Sequence, residues 1–211
     1  MPRIRWYYDF ISPFAYLQSA RLGGLAEKAE IECVPVLFAG LLDHWGQKGP
    51  AEVPPKKVFA FRQCAWRARS DGIPYHTPPM HPFNPLRALR LAIALDGGID
   101  AVQAIFRAIW VDGHLPDAAA GWAAMQKAVG VADGDALVAD PAVKARLLEN
   151  GAAAVAAGIF GVPTLAIGGE LFWGDDALGM AEAYLADPAI FDDEDMRRID
   201  SLAPSAERRP K

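Results

Sequence analysis

The sequence predicts an α/β protein whose sheet is built from the two ends of the chain, with a helical segment between them. Three observations predict it: the chain opens with a β-α-β pattern, it closes with α-β-β-α, and no strand pattern occurs between about residues 40 and 160. With 211 residues, 52% of them hydrophobic, the chain can bury a core without disulfides or metals.

The first predicted element is a strand, because apolar and polar side chains alternate over residues 3–10. Ser12 and Pro13 then suit the N-cap and first position of a helix, which we expect to run to about Ala29. A second strand follows at residues 31–37, so the two strands should be parallel and joined by a right-handed crossover. One face of the first strand carries Ile4, Trp6, Tyr8 and Phe10.

The middle of the chain is predicted to be helical. Residues 40–55 are rich in glycine, proline and polar side chains and are expected to form a loop, and residues 74–85 form a second, proline-rich loop. The helical patterns cover residues 56–70, 85–95, 99–111, 118–129, 135–138 and 141–157.

Strand patterns return near the end of the chain. Residues 164–167 and 170–173 flank the hairpin turn Gly168–Gly169, and a helix is expected at about residues 176–185. This order is the thioredoxin layout, a three-layer α/β sandwich interrupted by helices. The predicted units are a discontinuous thioredoxin-like domain (1–39 and 158–187), an all-helical insertion domain (40–157) and a C-terminal tail (188–211), with Arg208, Arg209 and Lys211 at its frayed end.

Composition excludes several classes of function. The formal net charge is −5, from 21 basic and 26 acidic residues, which does not favour nucleic-acid binding. The cluster Arg62, Arg67 and Arg69 is expected to be a solvated helix face. No apolar run is long enough to cross a membrane, and no signal-peptide pattern follows Met1, so a cytoplasmic protein is expected.

The cysteines and histidines give no sign of a disulfide framework or a metal site. Cys33 and Cys64 are too few to form such a framework in a chain of this length. Cys33 is expected to be a buried apolar side chain, and a reactive Cys64 has no support beyond nearby arginines. The four histidines do not have the spacing of metal ligands, so no metal is expected.

Ser12 is the first candidate functional residue. It lies between a predicted strand and a helix N-terminus, where unpaired N–H groups and about half a positive charge stabilise an anion. Ser12 and Ala15 occupy the two positions of a C-x-x-C motif, so a dithiol redox cycle is impossible there. A serine without a base is a poor nucleophile but can donate a hydrogen bond to an incoming thiolate. The alternative is an ordinary helix cap.

Two further segments are candidates for ligand binding. In a thioredoxin layout, Pro163 would follow a cis peptide bond, and Val162 would offer its N–H and C=O to an extended peptide. Outside that layout, a trans bond is the ordinary expectation. Asp175 and Asp176 begin a helix, where they would either cap it or bind an α-ammonium group beside free N–H groups.

These segments resemble one family. The sequence YDFISPFAYL at residues 8–17 is similar to the opening motif of the 2-hydroxychromene-2-carboxylate isomerases, which are related to the kappa-class glutathione transferases. FGVPT at 160–164, GELFWG at 169–174 and HPFNPL at 81–86 resemble later segments of that family. The resemblance covers residues 3–186 and implies a DsbA-like thioredoxin fold.

The resemblance also implies a glutathione site. Ser12 would contact the sulfur, Val162 and Pro163 the cysteinyl backbone, and Asp175 and Asp176 the γ-glutamyl end. In the intervening loop, the resemblance aligns Gln47 and Lys56 with an asparagine and a lysine that bind glutathione in the kappa enzymes. The chain departs from the family at Asp175, where a neutral residue is usual, and at Ala177, which replaces an arginine.

The implied activity is glutathione-dependent cis–trans isomerisation of an aromatic oxo-acid, by reversible addition of the thiolate, in a homodimer. Candidate groups for the substrate carboxylate are Lys48, Lys56 and Arg87, and the candidate aromatic walls are Trp6, Tyr8, Phe14 and Trp173. Two alternatives stay open: a kappa-like glutathione transferase or peroxidase, and a non-enzymatic module that binds thiol peptides.

Overall fold

A four-stranded sheet forms the centre of the computed structural model, which describes residues 1–199 and 201–206. The strand order is β2-β1-β3-β4, with β1 and β2 parallel and the other two pairs antiparallel. The strands are β1 (Arg3–Tyr8), β2 (Glu30–Pro35), β3 (Thr164–Ile167) and β4 (Glu170–Trp173). The predicted α/β fold with a sheet drawn from both chain ends is therefore confirmed.

Helices cover both faces of this sheet. They are α1 (Pro13–Ser19), α2 (Gly23–Ala26), α3 (Phe38–Trp45), α4 (Pro54–Ser70), α5 (Leu86–Ala94), α6 (Ile99–Trp110), α7 (Ala119–Ala128), α8 (Gly134–Ala139), α9 (Pro141–Ala156), α10 (Leu178–Ala186) and α11 (Glu194–Ile199). Short 3₁₀ turns lie at Pro50–Glu52, Asp175–Ala177 and Pro188–Phe191. Within the described residues, the segment between β2 and β3 contains no strand, as predicted.

Two predicted elements near the N-terminus were wrong. The single helix expected after Ser12 is two short helices. The first, α1, ends at Ser19, whose Oγ donates to Tyr16 O at 2.6 Å. The loop expected at 40–55 contains most of α3, whose Leu41 is buried on the sheet. Glycine and proline in this segment hid a helix that is stabilised by tertiary packing.

The two faces of the sheet pack against different helices. On one face Trp6 and Phe10 contact Phe106 of α6, with ring centroids 6.1 and 4.7 Å apart. This cluster of buried side chains continues through α5, α6 and α7, so the sheet and the helical segment share one core. On the other face Tyr7 is also buried, because α3 and α9 cover it.

The tail is partly docked. Phe191 stacks on Phe172 and Tyr184, at centroid distances of 6.1 and 5.3 Å, whereas α11 carries no buried residue. The predicted frayed end with Arg208, Arg209 and Lys211 lies outside the described residues. In the part of the chain that is described, no helix is long and apolar enough to cross a membrane.

Gly121 provides a test of how closely α7 packs. A Cβ at this position would lie 2.1 Å from the Leu115 carbonyl oxygen, so we expect Gly121→Ala to lower the free energy of unfolding by about 3 kcal/mol. At Gly151 in α9 no atom lies within 4 Å of an added Cβ, so Gly151→Ala should stabilise by up to about 1 kcal/mol. Urea unfolding of both variants checks this, and equal effects would contradict it.

Candidate active site

Ser12 is the N-cap of α1 and lies in the turn that follows β1. Its N–H donates to Asp9 O at 3.1 Å, and its Oγ accepts from Ala15 N–H at 3.2 Å. The hydroxyl proton points the other way, to the Val162 carbonyl oxygen at 3.4 Å. Ser12 is 7% exposed, so its hydroxyl is nearly buried between α1 and the loop before β3.

The loop before β3 places Val162 against Ser12. The Val162–Pro163 peptide bond is cis, Gly174 N–H donates to Pro163 O at 2.9 Å, and Thr164 Oγ1 donates to Gly161 O at 2.8 Å. Among the residues that the structure describes, none accepts a hydrogen bond from the Val162 N–H. The Val162 backbone therefore has a free donor beside the α1 N-terminus.

Gln18, which the sequence analysis did not single out, connects the sheet, α1 and the turn after β4. It is fully buried, its Oε1 accepts from Trp6 Nε1 at 2.7 Å, and its Nε2 donates to Gly174 O at 2.9 Å. The only signal in the sequence is a glutamine within an otherwise apolar helix. Gln18 fixes where the Asp175–Ala177 turn lies relative to α1.

Asp175 is an internal ion-pair partner, which corrects its expected position as an open cap or ligand. It is 1% exposed, its Oδ1 pairs with Arg21, and its Oδ2 lies 2.7 Å from Arg67 Nη2. Burial raises the pKa of its carboxyl, and the two guanidinium groups oppose that rise. Arg67 is accordingly 17% exposed in its side chain and does not belong to a solvated face.

Asp176, by contrast, is exposed. Its Oδ1 lies 2.6 Å from the point where a Cβ would stand at Gly174, whose φ is +95°. Glycine at position 174 thus permits both the left-handed backbone and the close approach of the carboxylate. Of the two predicted γ-glutamyl ligands, Asp176 is the one with a carboxylate open to solvent.

Asp9 is a buried acid in the turn after β1, and it was not predicted as a site residue. It is fully buried, and its two carboxyl oxygens accept from Ile11 N–H at 3.1 Å and Phe38 N–H at 2.9 Å. Burial raises the pKa of its carboxyl to about 7, against the effect of the backbone donors. Asp9 joins the Ser12 turn to the first residue of α3.

The expected aromatic walls divide into core and surface residues. Tyr8 and Trp6 are fully buried and stacked, with ring centroids 4.5 Å apart, so they do not line an open pocket. Phe14 is half-buried against the core. Trp173 is 56% exposed and lies over Gly161, where an added Cβ would be 2.4 Å from its Nε1.

The expected polar ligands are also in different settings. Gln47, Lys48 and Lys56 are exposed. Arg87 pairs with Asp135 and stacks 4.2 Å from the Trp122 ring centroid, so its charge is already compensated. This removes the free cation expected at position 87.

The two cysteines are poor candidates for chemistry. Both are free, and burial raises the pKa of each thiol to about 12, so neither ionises readily near neutral pH. The surroundings of Cys64 raise the pKa of its thiol, whereas an activated thiol has a lowered pKa. Over the described residues, no group of histidine, cysteine and acidic side chains could hold a metal ion.

Comparison with known proteins gives a consistent set of relatives. The family model of the DSBA-like thioredoxin domain matches residues 3–186. A 2-hydroxychromene-2-carboxylate isomerase of Sphingobium xenophagum is 32% identical over 193 residues, covering 87% of this chain and 98% of that protein. One from Pseudomonas putida is 28% identical over 194 residues, covering 86% and 93%.

Solved structures agree on the fold. A structure of 2-hydroxychromene-2-carboxylate isomerase superimposes with a TM-score of 0.77 at 25% identity, covering 95% of this chain and all of that one. The cytosolic disulfide reductase DsbM from Pseudomonas aeruginosa, solved with GSH, gives a TM-score of 0.59 at 18% identity over 94% and 97% of the two chains. At that identity DsbM shows a shared fold alone.

Asp9 makes stability depend on pH. Its folded pKa of about 7 exceeds the ordinary 3.8, so the folded state binds more protons and loses stability as pH rises between these values. At 1.36 kcal/mol per pKa unit, the loss is about 4 kcal/mol. In Asp9→Asn that part of the pH dependence should vanish, as urea unfolding from pH 4 to 8 would show.

The matched control is Asp43→Asn, on the exposed side of α3. It should keep the pH dependence of the wild type. Parallel stability curves for Asp9→Asn and the wild type would contradict the buried titration.

Proposed function

The chain belongs to the DsbA-like thioredoxin domain family and, within it, to the 2-hydroxychromene-2-carboxylate isomerases, and we propose that it is a glutathione-dependent cis–trans isomerase of an aromatic oxo-acid of that kind. One observation carries the glutathione part of the proposal. A serine hydroxyl caps a helix N-terminus beside a free backbone N–H at Val162, in a position built for an anion but holding no cysteine.

The residues around Ser12 fit glutathione as a ligand. The Val162 N–H is a free donor for the backbone of a cysteinyl unit, and its carbonyl oxygen has only the long bond from Ser12. Gln18 ties Gly174 to α1, so the exposed Asp176 carboxylate follows directly on an anchored turn and can meet an α-ammonium. Gln47 and Lys56 are exposed polar groups on the α3–α4 side and complete the proposed set.

Ser12 would hold the thiolate by redirecting one proton. Its hydroxyl donates to Val162 O at 3.4 Å, a weak bond that a rotation about Cβ–Oγ exchanges for a bond to sulfur, while Ala15 N–H still donates to Oγ. A hydrogen bond to a charged acceptor contributes roughly 1.5–3 kcal/mol, which equals about one to two pKa units of the ligand thiol. The α1 N-terminus adds to the effect.

Bound glutathione would supply a thiolate that adds reversibly to a conjugated carbon, so that the former double bond can rotate before the sulfur leaves. The protein would keep this thiolate beside a hydroxyl that is largely shielded from water, since Ser12 is 7% exposed. It contributes no dithiol of its own, because Ser12 and Ala15 stand at the two cysteine positions and Cys33 and Cys64 are held as thiols.

The buried Asp175 also bears on the proposal. Asp175 carries a negative charge where the family usually has a neutral residue. This charge is compensated by Arg21 and Arg67, and the carboxylate is buried. It therefore does not repel the carboxylates of a peptide ligand as an exposed aspartate would. The homodimer implied by the family stays a prediction.

The decisive experiment replaces the Ser12 hydroxyl. In Ser12→Ala we expect the pKa of bound glutathione to rise by one to two units, because the thiolate loses its charged hydrogen bond. Thiolate absorbance during a pH titration measures the pKa, and spectrophotometry of 2-hydroxychromene-2-carboxylate interconversion should show a rate about 10- to 100-fold lower at neutral pH.

Ser19→Ala is the matched control, since Ser19 is a buried serine at the other end of α1. It should leave both readouts unchanged. Wild-type isomerisation that is equally fast without glutathione would overturn the proposal. Conjugation of a chlorodinitrobenzene-type acceptor without isomerisation would favour a kappa-like transferase. Capture of a thiol peptide, with no binding of glutathione, would favour a non-enzymatic module.

Substitutions of Asp175 and Asp176 should have different effects on glutathione binding and on stability. Asp176→Asn should weaken glutathione binding about tenfold by calorimetry, because it removes the exposed partner of the α-ammonium, and should leave stability unchanged. Asp175→Asn should lower the free energy of unfolding by about 3 kcal/mol, since it removes the buried counter-charge of two arginines. The reverse pattern would place the γ-glutamyl contact at Asp175.

A further inference from the structure

A pocket of about 400 Å³ lies between α4 and the proline-rich loop that precedes α5. From α4 it is lined by Lys57, Phe61 and Arg62, and from the loop by Pro78, Pro79 and His81. Its size is within the range of small-molecule sites, and its walls combine two cations with aromatic and proline rings. Nothing in the comparisons assigns a ligand to it.

The pocket is joined to the candidate active site through His81. The ring Nε2 of His81 lies 2.8 Å from the carbonyl oxygen of Ile11, the residue before Ser12. Because a carbonyl oxygen only accepts, Nε2 carries the proton of this bond, which fixes the orientation of the ring. His81 thus stands between the Ser12 turn and the pocket.

The aromatic side chains that line the pocket pack against each other and against further rings of the protein. Phe61 meets His81 edge-on at a centroid distance of 4.9 Å, and His81 in turn packs on Phe83 and Trp110. Lys57 Nζ donates to His81 O at 2.6 Å, which leaves two of its three protons for another acceptor. The ring faces and one ammonium group are therefore positioned before any ligand arrives.

Among the described residues, these two cations have no acidic partner. In the described part of the chain, neither Lys57 nor Arg62 forms an ion pair, whereas the nearby Arg67 and the earlier candidate Arg87 both do. Lys57 and Phe61 are four residues apart and so share a face of α4, while Lys56 lies about 100° away around the helix and is exposed. Positive charge thus remains uncompensated beside aromatic rings.

We propose that this pocket binds the aromatic carboxylate, with Lys57 and Arg62 on its carboxylate and Phe61 and His81 against its ring. The proposal rests on the proposed isomerase function, and it replaces Lys48, Lys56 and Arg87 as the substrate's cationic partners. A ligand held here would extend past His81 toward the sulfur site at Ser12, so the pocket would decide which aromatic acids are accepted.

Binding of 2-hydroxycinnamate without glutathione tests the pocket independently of catalysis. We expect calorimetry to show that Lys57→Gln and Arg62→Gln each weaken its binding about tenfold, and that Lys57→Arg restores most of it. Arg69→Gln, two turns along α4 from Arg62 and outside the pocket, is the control and should bind as the wild type. The alcohol analogue without a carboxylate should bind weakly and equally to all variants.

Kinetics separate this proposal from the isomerase function. In the two glutamine variants the KM for the aromatic acid should rise about tenfold while the glutathione KM stays constant. If the KM and the binding of the aromatic acid are unchanged in these variants, the pocket proposal is overturned and the isomerase proposal stands. Absence of binding to the wild type would also overturn the pocket proposal. Carboxylate-dependent binding without isomerisation would keep the pocket and overturn the activity. Because Lys57 also donates a hydrogen bond to His81 O, its substitution removes a contact within the protein. Thermal unfolding of each variant therefore checks that it is folded, and the Arg62 variant tests the pocket without changing that contact.

Discussion

The position of the candidate site depends on the hydrogen bonds that Asp9 makes in the turn between β1 and α1. Its carbonyl oxygen accepts from Ser12 N–H, and its buried carboxyl accepts from Ile11 and Phe38 N–H. An acid in the interior is costly unless it is hydrogen-bonded, and these donors offset part of its desolvation. The same contacts orient the α1 N-terminus toward Val162, and the proposed contacts of Ser12 and Val162 with the ligand follow from that orientation.

At the other end of the site, the buried carboxylate of Asp175 is compensated by ion pairs. Asp175 is compensated by Arg21 and Arg67, which belong to separate elements, so the ion pairs connect the turn after β4 to the α1–α2 turn and to α4. Asp176, one residue later, remains exposed. Two neighbouring carboxylates thus have different environments, because one side chain points into the protein and the other into solvent.

Much of this arrangement was predictable from the sequence. Alternation identified β1, glycines marked the β3–β4 hairpin, and the motifs around Ser12 and Pro163 indicated the fold and its relatives. The helix α3 was missed because packing of Leu41, rather than helix propensity, stabilises it. Trp6 and Tyr8, expected as aromatic walls of a ligand pocket, instead stack in the buried core, on the face of β1 where the alternation placed them.

The sequence by itself determined the thioredoxin-like element order, the absence of a dithiol at Ser12 and Ala15, and the helix N-terminus that Ser12 caps. These are local properties of residue type and spacing. Only the tertiary structure decided which charges are free. Arg67 and Arg87 meet acids from distant segments, whereas Lys57 and Arg62 meet none among the described residues. Ion pairing depends on which distant residues fold together, and no spacing along the chain encodes that.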